Sequence, residues 1–467
     1  MKPRVRFAPS PTGEPHLGFA RTALYNFLFA KNKGGQFLLR IEDTDLERSK
    51  NDYIKTMLSS LSWLGLNWDE EVVFQSKRGD NYNKYIKLLL ETGRAYRCFA
   101  SKGELEKIRK EKKSFTYNGL WRNKSVDEIK KQLEGGNPYT IRLKTPKSGN
   151  VNFKDAIYGD ISVSNQEIDD FIIVRSDGNP VYNFTNVIDD GAMNITHVIR
   201  GEDHIPNTSK QILIYLALGW KVPQFAHLPM ILGEDRKRLS KRHGAASLSS
   251  YKKDGYQPGA LINYLAFLGW NPGTEKEIMD IEQLIENFDL FRVQKKSAIF
   301  DIKKLNWISS QHISRQDNNT ILKNIRILNS SWGIIKDEFY CLKVIELIKS
   351  RSNTLLHLME HSKYFFDDPS IFSDQDIDKI WQHNTTEIMY DVIGLLDGDN
   401  ELNAQQLEDI FNIYMKNNEL GFGKVMRPLR LALSGDTKGP SLFQIIELLG
   451  NRTSIKRLKY AIRNFQK

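Results

Sequence analysis

The N-terminal part of the chain alternates short apolar runs with one long stretch of helical period. Arg4 to Ala8 predicts a short strand, which ends in a turn rich in proline. From Gly18 to Lys33 apolar residues recur on one helical face, and two glycines follow where a helix would end. Gln36 to Ile41 predicts a second strand. Strand, helix and strand in this order are typical of a βαβ crossover, so we expect a parallel sheet.

Further along the chain, the pattern changes twice. Between about residues 96 and 180, short strands, glycines and turns indicate an insertion into the sheet. The α/β pattern then resumes with strands at His197 to Arg200 and His227 to Leu232. Beyond about residue 310 the apolar spacing is helical, as in Ala404 to Lys416. The last third of the chain is therefore predicted to be α-helical.

Composition narrows the class of protein. The chain has 467 residues, 40% of them hydrophobic and 27% charged, which is typical of a globular protein of about two to four domains. No apolar run approaches the ~20 residues of a membrane span, and the N-terminus lacks the apolar core of a signal peptide. We therefore expect a cytoplasmic protein without a membrane partner. The two cysteines, Cys98 and Cys341, exclude a disulfide framework. Lys and Arg number 67 against 57 Asp and Glu, and the net charge of +10 permits a polyanionic partner.

Two loops carry candidate phosphate-binding chemistry. The first, residues 7–19, lies between the first strand and the first helix, where an open α/β sheet places its ligand crevice. Free N–H groups at the start of the helix, near Gly18, favour a phosphate, and His16 could donate a hydrogen bond to it. The second loop, Asp235 to Gly244, contains five Lys or Arg and suits the charge that develops on departing pyrophosphate. Taken singly, each loop is explained more simply, as an ordinary connection or a solvated basic turn.

Together the two loops resemble the signatures of class I aminoacyl-tRNA synthetases. Residues 16–19, His-Leu-Gly-Phe, match the HIGH signature at its first and third positions. Residues 238–242, Arg-Leu-Ser-Lys-Arg, match the KMSKS signature at the serine and the lysine that follows it. Five blocks resemble bacterial glutamyl-tRNA synthetase in that family's order: residues 6–13, 39–49, 182–190, 198–203 and 239–245. The helical remainder has the family's length.

The resemblance implies an α/β fold with a Rossmann-like parallel-sheet catalytic domain. An α+β domain that binds the acceptor end of the tRNA would be inserted into this catalytic domain. An all-α C-terminal region would follow and would bind the anticodon. The two halves of the catalytic domain would span residues 1–95 and 181–235, with the insertion at residues 96–180. Residues 236–309 would carry the signature loop and contacts to the tRNA stem. Residues 310–467 would form the anticodon-binding region.

The reaction implied by the resemblance is the ATP-dependent ligation of L-glutamate to tRNA(Glu) through a glutamyl-adenylate, with activation that needs bound tRNA. Mg²⁺ would arrive with ATP, bound through phosphate oxygens and water. Some relatives bind zinc through a cysteine cluster, but Ala100 stands two residues after Cys98, so we expect no structural zinc and no other metal site. The protein is expected to act as a monomer.

For the amino acid, the resemblance assigns two arginines and a glutamate. Arg6 and Arg200 match the family's glutamate contacts, and each can bind a carboxylate in a bidentate fork. Glu42 would hold the ammonium group of the substrate. The family's other hydrogen-bonding positions correspond to Ser10, Tyr182 and Asn186. Without the motif context, ion pairing at a surface or between domains explains the arginines better. For Asp43 and Asp45, turn formation weighs at least as much as substrate contact.

For ATP, six positions match the family's binding residues: His16, Gly18, Arg238, Leu239, Ser240 and Lys241. His16 and Gly18 would hold the phosphates during catalysis. Ser240 and Lys241 would close over the leaving pyrophosphate. Arg238 stands where the signature has its first lysine, so the positive charge is kept but the compact ammonium group is lost.

Basic residues elsewhere are candidates for tRNA contacts. Lys107 to Lys113 and a basic C-terminal run could bind the phosphate backbone, although a solvated helix face explains the C-terminal run equally well. The run consists of Arg452, Lys456, Arg457, Lys459, Arg463 and Lys467. Arg351 falls where family members read the last anticodon base. Whether tRNA(Gln) is charged in addition to tRNA(Glu) stays open.

Three alternatives remain at the level of sequence. Glutaminyl-tRNA synthetase shares the catalytic half but has a β-barrel C-terminal region, whereas residues 310–467 have a helical pattern. A tRNA-modifying glutamyl-queuosine enzyme lacks the anticodon region, so the length of this chain argues against it. A nucleic-acid-binding module with an inactive synthetase fold is opposed by the intact His16, Ser240 and Lys241.

Overall fold

The computed structural model describes residues 2–44, 50–101, 103–106, 117–239, 247–398 and 402–465. The chain forms two compact units. The first takes in the residues up to Ser250 together with Leu261–Ile302, and the second takes in Tyr251–Ala260 together with the residues from Lys303 onward. Several predicted features fall outside the described residues, namely Asp45, Lys107 to Lys113, Ser240, Lys241 and Lys467.

The first unit begins with the predicted βαβ crossover. Strand β1 (Arg4–Phe7) leads into helix α1 (Leu17–Asn32), and β2 (Gln36–Ile41) returns to pair with β1 in parallel. Strand β3 (Val73–Phe74) pairs with the other edge of β2, also in parallel. The predicted parallel sheet is therefore confirmed. Two further helices belong to this segment, α2 (Asn51–Trp63) and α3 (Gly79–Glu91).

An antiparallel sheet occupies much of the segment that was predicted as an insertion. Strand β5 (Thr140–Leu143) lies between β4 (Ala95–Cys98) and β8 (Ile172–Val174). Helix α4 (Val126–Glu134) begins at Ser125, whose side chain accepts a hydrogen bond from the backbone of the first helical turn. The inserted segment therefore has both helix and sheet.

Four neighbouring strands form the second half of the sheet. Strands β6 (Asn150–Asp155) and β7 (Gly159–Ser164) form a hairpin, and β6 pairs in parallel with β10 (Gln224–Leu228). Strand β9 (His197–Gly201) pairs with the other edge of β10. Helices α5 (Tyr182–Ala192) and α6 (Ile205–Ala217) precede and follow β9 along the chain. A hairpin of the inserted segment thus extends the main sheet.

Strand β1 stands where the strand order of the sheet reverses. Strand β2 pairs with β1 on one side, and on the other the backbone N–H of Thr196, just before β9, donates to the Arg4 carbonyl at 2.9 Å. In an open α/β sheet such a reversal opens a crevice beyond the carboxyl ends of the strands. The residues at the ends of β1, β2 and β9 therefore meet at one edge of the sheet.

The predicted strand His227 to Leu232 is wrong, because β10 ends before Pro229 and a separate short strand, β11 (Ile231–Leu232), follows. Pro229 has no N–H to give to a strand ladder, and its carbonyl accepts a hydrogen bond from the buried Arg21 side chain. The next elements along the chain are α7 (Leu248–Lys253), α8 (Pro258–Phe267), α9 (Ile281–Asn287) and β12 (Ala298–Ile299), which pairs with β11.

The second unit is helical in all of its described regular structure, which confirms the predicted α-helical last third. Its apolar core includes Phe411, Leu429 and Ile445, which are fully buried. Its helices are α10 (Ile302–Arg315), α11 (Asn318–Leu328), α12 (Glu338–Ile348), α13 (Leu355–His361), α14 (Asp374–Ile380), α15 (Thr385–Leu396), α16 (Ala404–Asn417), α17 (Phe422–Ser434), α18 (Leu442–Leu449) and α19 (Asn451–Asn464). Across the described ranges of both units, no helix is long and apolar enough to cross a membrane.

Candidate active site

A cavity of about 780 Å³ opens at the carboxyl ends of β1 and β9. Ten of the predicted site residues line it: Arg6, Ser10, His16, Gly18, Glu42, Tyr182, Asn186, Arg200, Arg238 and Leu239. These residues come from separate segments of the first unit, so the fold brings them together. Of the remaining predicted site residues, Ser240 and Lys241 lie outside the described residues, and Arg351 belongs to the second unit.

A buried cluster of charges includes three of the residues that line this cavity. Asp190 accepts hydrogen bonds from Arg6 Nε at 2.9 Å and from Arg40 Nη1 at 2.6 Å. Arg40 Nη2 donates to Glu42 Oε1 at 3.2 Å. Arg200 acts electrostatically on the same two carboxylates, and all five side chains belong to residues no more than 8% exposed. Three guanidinium groups thus surround two carboxylates in this cluster, and the buried Asp189 adds a further negative charge near Arg40.

The two carboxylates of this cluster differ in how firmly they hold their charge. Burial by itself would raise the pKa of Asp190, but the guanidinium groups of Arg6 and Arg40 outweigh it and hold that pKa below its usual value. Burial raises the pKa of Glu42 in spite of the opposing charges of Arg40 and Arg6. Asp190 is therefore a permanent counter-ion. The ionised form of Glu42 is the one that an additional positive charge, such as an ammonium group, would stabilise most.

Sequence reasoning assigned no role to Arg40 or Asp190, although both stand inside the blocks that carry the resemblance. The sequence pattern did indicate a buried ion pair at Arg40. Arg40 interrupts the apolar run of β2, and a charge in a buried strand needs a charged partner. The identity of that partner was not readable from the pattern, since Asp190 lies 150 residues away along the chain.

Protein groups occupy one edge of each predicted substrate arginine. Arg6 directs Nε and Nη2 to the two carboxylate oxygens of Asp190, at 2.9 and 3.2 Å. Arg200 directs Nε to His227 Nε2 at 3.3 Å and Nη2 to Thr208 Oγ1 at 2.6 Å. Among the described residues, Arg200 Nη1 is buried and has no hydrogen-bond partner. A substrate carboxylate therefore cannot bind to the Nε and Nη2 edge of either arginine. In each arginine, Nη1 is the donor that remains for a ligand.

The predicted polar contacts lie around these charges. Asn186 Nδ2 donates to Glu42 Oε1 at 2.9 Å, and the Tyr182 hydroxyl lies 3.2 Å from His204 Nδ1. Burial and the neighbouring Arg200 lower the pKa of His204 to about 4, so its imidazole is neutral at pH 7. Ser10 is exposed where it lines the cavity. A small polar ligand would therefore meet oriented hydrogen-bonding groups as well as charges.

His16 caps the helix that begins at the cavity. Its Nδ1 accepts a hydrogen bond from the backbone N–H of Phe19 at 3.2 Å, so the ring proton is carried by Nε2. Burial, and then the positive charge of Arg238, lower the pKa of His16 and favour this neutral form. His16 therefore presents Nε2–H as a donor beside the N-terminus of α1, and both features suit a phosphate oxygen.

Gly18 gives the His16 ring the space it needs. A Cβ atom added at Gly18 would lie 3.0 Å from His16 Cε1 and 3.1 Å from Nδ1, whereas one added at Gly13 in the same loop would meet nothing within 4 Å. We expect Gly18→Ala to displace the ring, to cost about 1 kcal/mol of helix capping and to raise the KM for ATP roughly fivefold. Gly13→Ala is the matched control, and steady-state kinetics with varied ATP make the comparison. Equal KM values for the two variants would contradict this role of Gly18.

Arg238 stands at the mouth of the cavity in an exposed ion pair. Its Nη2 lies 4.0 Å from Asp203 Oδ2, and the two side chains are 69% and 43% exposed. An exposed pair of this kind contributes at most about 1 kcal/mol, so it does not prevent Arg238 from turning to a phosphate. The contact of Arg238 is thus readily exchanged, in contrast to the buried pairs of Arg6 and Arg40.

The structure also describes Asp43 and Cys98, which the sequence had singled out. Asp43 accepts hydrogen bonds from the backbone N–H and the hydroxyl of Ser76, at 2.8 and 2.7 Å, and so is bound to the short 3₁₀ helix Gln75–Lys77, 33 residues further along the chain. Cys98 is buried, with Sγ 3.4 Å from the Tyr117 hydroxyl. Within the part of the chain that the structure describes, no group of three or more His, Cys, Asp or Glu side chains could hold a metal ion.

Comparison with known proteins agrees with this site. The family model described as tRNA synthetases class I (E and Q), catalytic domain, matches residues 2–307, and an anticodon binding domain model matches residues 321–462. A relative named glutamate--tRNA ligase 1, from Caldanaerobacter subterraneus subsp. tengcongensis, is 42% identical over 98% of this chain and 97% of its own length. The chain belongs to the glutamate--tRNA ligase family of class I tRNA synthetases. The resemblance noted in the sequence is thereby confirmed.

Two further comparisons give the same family. The glutamate--tRNA ligase of Carboxydothermus hydrogenoformans is 44% identical over 97% of this chain and 98% of its own length. The crystal structure of a glutamate tRNA ligase from Elizabethkingia meningosepticum, in complex with its amino acid, superposes with a TM-score of 0.92 at 36% identity and covers 100% of both chains. The predicted fold class, a parallel-sheet catalytic part followed by a helical anticodon-binding part, is confirmed. The glutaminyl alternative is not favoured.

The anticodon-binding part of this synthetase contains Arg351. Arg351 ends a short 3₁₀ turn after α12, is exposed, and lines a cavity of about 370 Å³ with Tyr364 and Lys438. Its positive charge lowers the pKa of Arg430, for which burial is the larger cause. The position therefore offers an exposed guanidinium group near the Tyr364 ring, in a cavity lined by both basic and acidic side chains.

One member of the predicted basic C-terminal run is not a surface cation. Arg457 is 5% exposed and donates to the carbonyl oxygens of Leu433 at 2.6 Å and Tyr364 at 2.8 Å. Arg457 Nε and Lys456 Nζ bind the two carboxylate oxygens of Asp368, at 2.9 and 2.6 Å. Arg457 thus ties α19 to neighbouring backbone of the anticodon-binding part, and the expectation that it contacts tRNA is wrong.

Proposed function

We propose that this synthetase ligates L-glutamate to tRNA(Glu) with ATP, through a glutamyl-adenylate. The single observation that carries the proposal is that Arg6 and Arg200 each leave Nη1 open in the cavity that the buried Glu42 also lines. L-Glutamate has two carboxylates and one ammonium group, which match the two arginines and the glutamate in number and in sign. Nη1 of Arg6 and of Arg200 would bind the carboxylates, and Glu42 would bind the ammonium group. Glutamine would leave one buried guanidinium without a charged partner.

The proposed activation step needs positioning and charge neutralisation rather than a nucleophile of the enzyme. A carboxylate oxygen of glutamate attacks the α-phosphate of ATP, and pyrophosphate leaves. His16 Nε2–H and the N-terminus of α1 would bind phosphate oxygens, and Arg238 would neutralise charge on the departing group together with Ser240 and Lys241. Among the described residues of the first unit, no group of three or more His, Cys, Asp or Glu side chains could hold a metal ion. Mg²⁺ would therefore be held by phosphate oxygens and water, and it would supply charge neutralisation there. A ribose hydroxyl of the terminal adenosine of the tRNA then attacks the glutamyl carbonyl carbon, an ester forms, and AMP leaves.

The decisive test combines charging with pyrophosphate exchange. With labelled glutamate, ATP and tRNA(Glu), we expect acid-precipitable glutamyl-tRNA. Exchange of labelled pyrophosphate into ATP is expected only when tRNA(Glu) is added, as is normal for the family. Failure to charge tRNA(Glu) would refute the proposed function. Equal exchange with and without tRNA would refute the tRNA requirement alone.

The choice of tRNA is the finer part of the proposal. We propose that Arg351 contacts the last anticodon base, since its guanidinium group is exposed in a cavity that Tyr364 also lines. Charging of purified tRNA(Glu) and tRNA(Gln) should favour tRNA(Glu), and Arg351→Ala should reduce that preference by about tenfold, the usual worth of one arginine–base contact. Lys363→Ala, in the same cavity, is the control for general loss of charge. An unchanged preference in Arg351→Ala would remove this residue from recognition. The protein is proposed to act as a monomer, which sedimentation can measure.

A further inference from the structure

Three buried residues form a line across three neighbouring strands of the sheet. Asp155 ends β6, His227 lies in β10, and Arg200 lies in β9 directly opposite His227 in the parallel register. His227 Nδ1 is 2.6 Å from Asp155 Oδ2, and Arg200 Nε is 3.3 Å from His227 Nε2. Asp155 and His227 are 1% and 0% exposed. Neither residue belongs to the sequence blocks that carry the family resemblance.

Only one arrangement of protons allows both hydrogen bonds of His227, one to Asp155 and one to Arg200. A guanidinium group can only donate, so His227 Nε2 must offer its lone pair to Arg200. The imidazole proton is then on Nδ1 and is donated to Asp155, whose carboxylate can only accept. The opposite tautomer would set an Nε2–H against the Arg200 Nε–H and an Nδ1 lone pair against the carboxylate. The contacts therefore select the Nδ1–H form of a neutral imidazole.

The protonation of both partners agrees with this arrangement. Burial lowers the pKa of His227 and outweighs its hydrogen bond to Asp155, which favours the neutral ring. Burial would raise the pKa of Asp155, but the hydrogen bonds it accepts outweigh burial and hold its pKa below the usual value. The largest contribution comes from His227, followed by the backbone N–H groups of Tyr158 and Ile157, both at 2.9 Å. Backbone contacts therefore hold Asp155 in place in addition to His227.

The line determines which face of Arg200 remains for a ligand. His227 takes Nε, and the Thr208 hydroxyl accepts from Nη2 at 2.6 Å. The Thr208 hydroxyl is also 3.0 Å from His227 Nε2, so its own proton can be donated to the same lone pair. With Nε and Nη2 held, the guanidinium cannot rotate, and Nη1 is left buried without a partner in a residue that lines the cavity.

We propose that Asp155 and His227 are positioning residues for glutamate, which hold the Nε edge of Arg200 so that Nη1 meets a substrate carboxylate. This inference rests on the proposed function of Arg200 in glutamate binding. Because Asp155 belongs to the hairpin of the inserted segment, that segment contributes to the amino-acid site as well as to its own sheet.

A matched pair of substitutions at His227 tests the proposal. In His227→Gln, the side-chain amide oxygen can accept from Arg200 Nε, whereas His227→Leu fills similar space without an acceptor. We expect His227→Leu to raise the KM for glutamate by about tenfold to a hundredfold, with the KM for ATP unchanged. His227→Gln should keep the KM for glutamate within about threefold of the parent value. A threefold change is smaller than the change expected from the loss of one hydrogen bond to a charged group. Steady-state aminoacylation with saturating tRNA gives all of these values.

Other results would contradict either the positioning role of His227 or the binding of glutamate by Arg200. If His227→Leu leaves the KM for glutamate unchanged, or if both variants raise the KM values for glutamate and ATP alike, His227 only fills space and the inference fails. Arg200→Lys separates this failure from a failure of the proposed function. If Arg200→Lys leaves the KM for glutamate unchanged, Arg200 does not bind the substrate. If Arg200→Lys raises it while His227→Leu does not, only the positioning role is lost.

A measurement on the unsubstituted protein keeps the proposal testable if His227→Leu does not fold. With ¹⁵N-labelled histidine, and His227→Gln to assign the signal, nuclear magnetic resonance distinguishes a protonated from an unprotonated ring nitrogen. We expect His227 to be protonated on Nδ1 and unprotonated on Nε2 at pH 7. The opposite tautomer, or a doubly protonated ring, would overturn the inference.

Discussion

Arg200→Lys is expected to raise the KM for glutamate by about a hundredfold. In the parent, Nη1 of Arg200 is a buried donor without a partner, and its loss leaves a substrate carboxylate unpaired in a desolvated site, at a cost of about 2–5 kcal/mol. A lysine ammonium group is a single compact charge, and it cannot bond to Thr208 and His227 while it also reaches the ligand. The KM for ATP should change little, because no ATP contact is assigned to Arg200.

The measurement is steady-state aminoacylation with glutamate and ATP varied in turn. Arg4→Lys is a matched control, since Arg4 lies in β1 but pairs with the exposed Glu70 and does not line the cavity. Its KM for glutamate should stay within about twofold of the parent. A KM for glutamate in Arg200→Lys that equals the Arg4→Lys value would remove Arg200 from the amino-acid site.

Asp190→Asn is expected to lower the free energy of unfolding by about 3–5 kcal/mol. Asp190 is 2% exposed and neutralises both Arg6 and Arg40, and loss of its charge leaves two buried guanidinium groups without their shared counter-ion. Urea denaturation at pH 7 measures the change. Glu70→Gln, which breaks the exposed pair with Arg4, should cost less than about 1 kcal/mol and serves as the control. Equal losses in the two variants would contradict the role of Asp190.

The stability contributed by Asp190 should also depend on pH in a defined direction. Its pKa is lower in the folded protein than in the unfolded chain, so the folded state holds the charged form more strongly. That stabilisation is fully present above the unfolded pKa of about 4 and is lost as the pH falls through the folded value. The difference between the parent and Asp190→Asn should therefore be constant from pH 7 to about pH 5 and should shrink on further acidification.

Local patterns predicted the elements that frame the site. The apolar spacing placed the first helix at Gly18 to Lys33, against Leu17–Asn32 in the structure, and the second strand at the observed Gln36–Ile41. These elements were readable because a buried helix face and a buried strand each impose a period on nearby residues. The strand expected at His227 to Leu232 was wrong, since an apolar run does not reveal that Pro229 meets the Arg21 side chain instead of a ladder.

The site shows the same distinction between features that a local pattern predicts and contacts that form only after folding. Motif resemblance named Arg6, Glu42 and Arg200, and the structure brings all three to one cavity. Neither spacing nor motif indicated that Asp190 occupies one edge of Arg6 or that His227 occupies one edge of Arg200. Those contacts depend on the hydrogen-bonding geometry of side chains that meet only after folding.

The sequence by itself determined the α/β class of the N-terminal part, the helical last third and the residues that surround the cavity. These properties depend on periodicity and on short motifs, and both are local along the chain. Only the tertiary structure decided which carboxylates and guanidinium groups form the buried cluster, and which nitrogen atom each arginine leaves for a ligand. The physical reason is that the partners of Arg6 and Arg200 come from distant strands and helices, and a buried guanidinium is oriented by whichever acceptors the fold places around it.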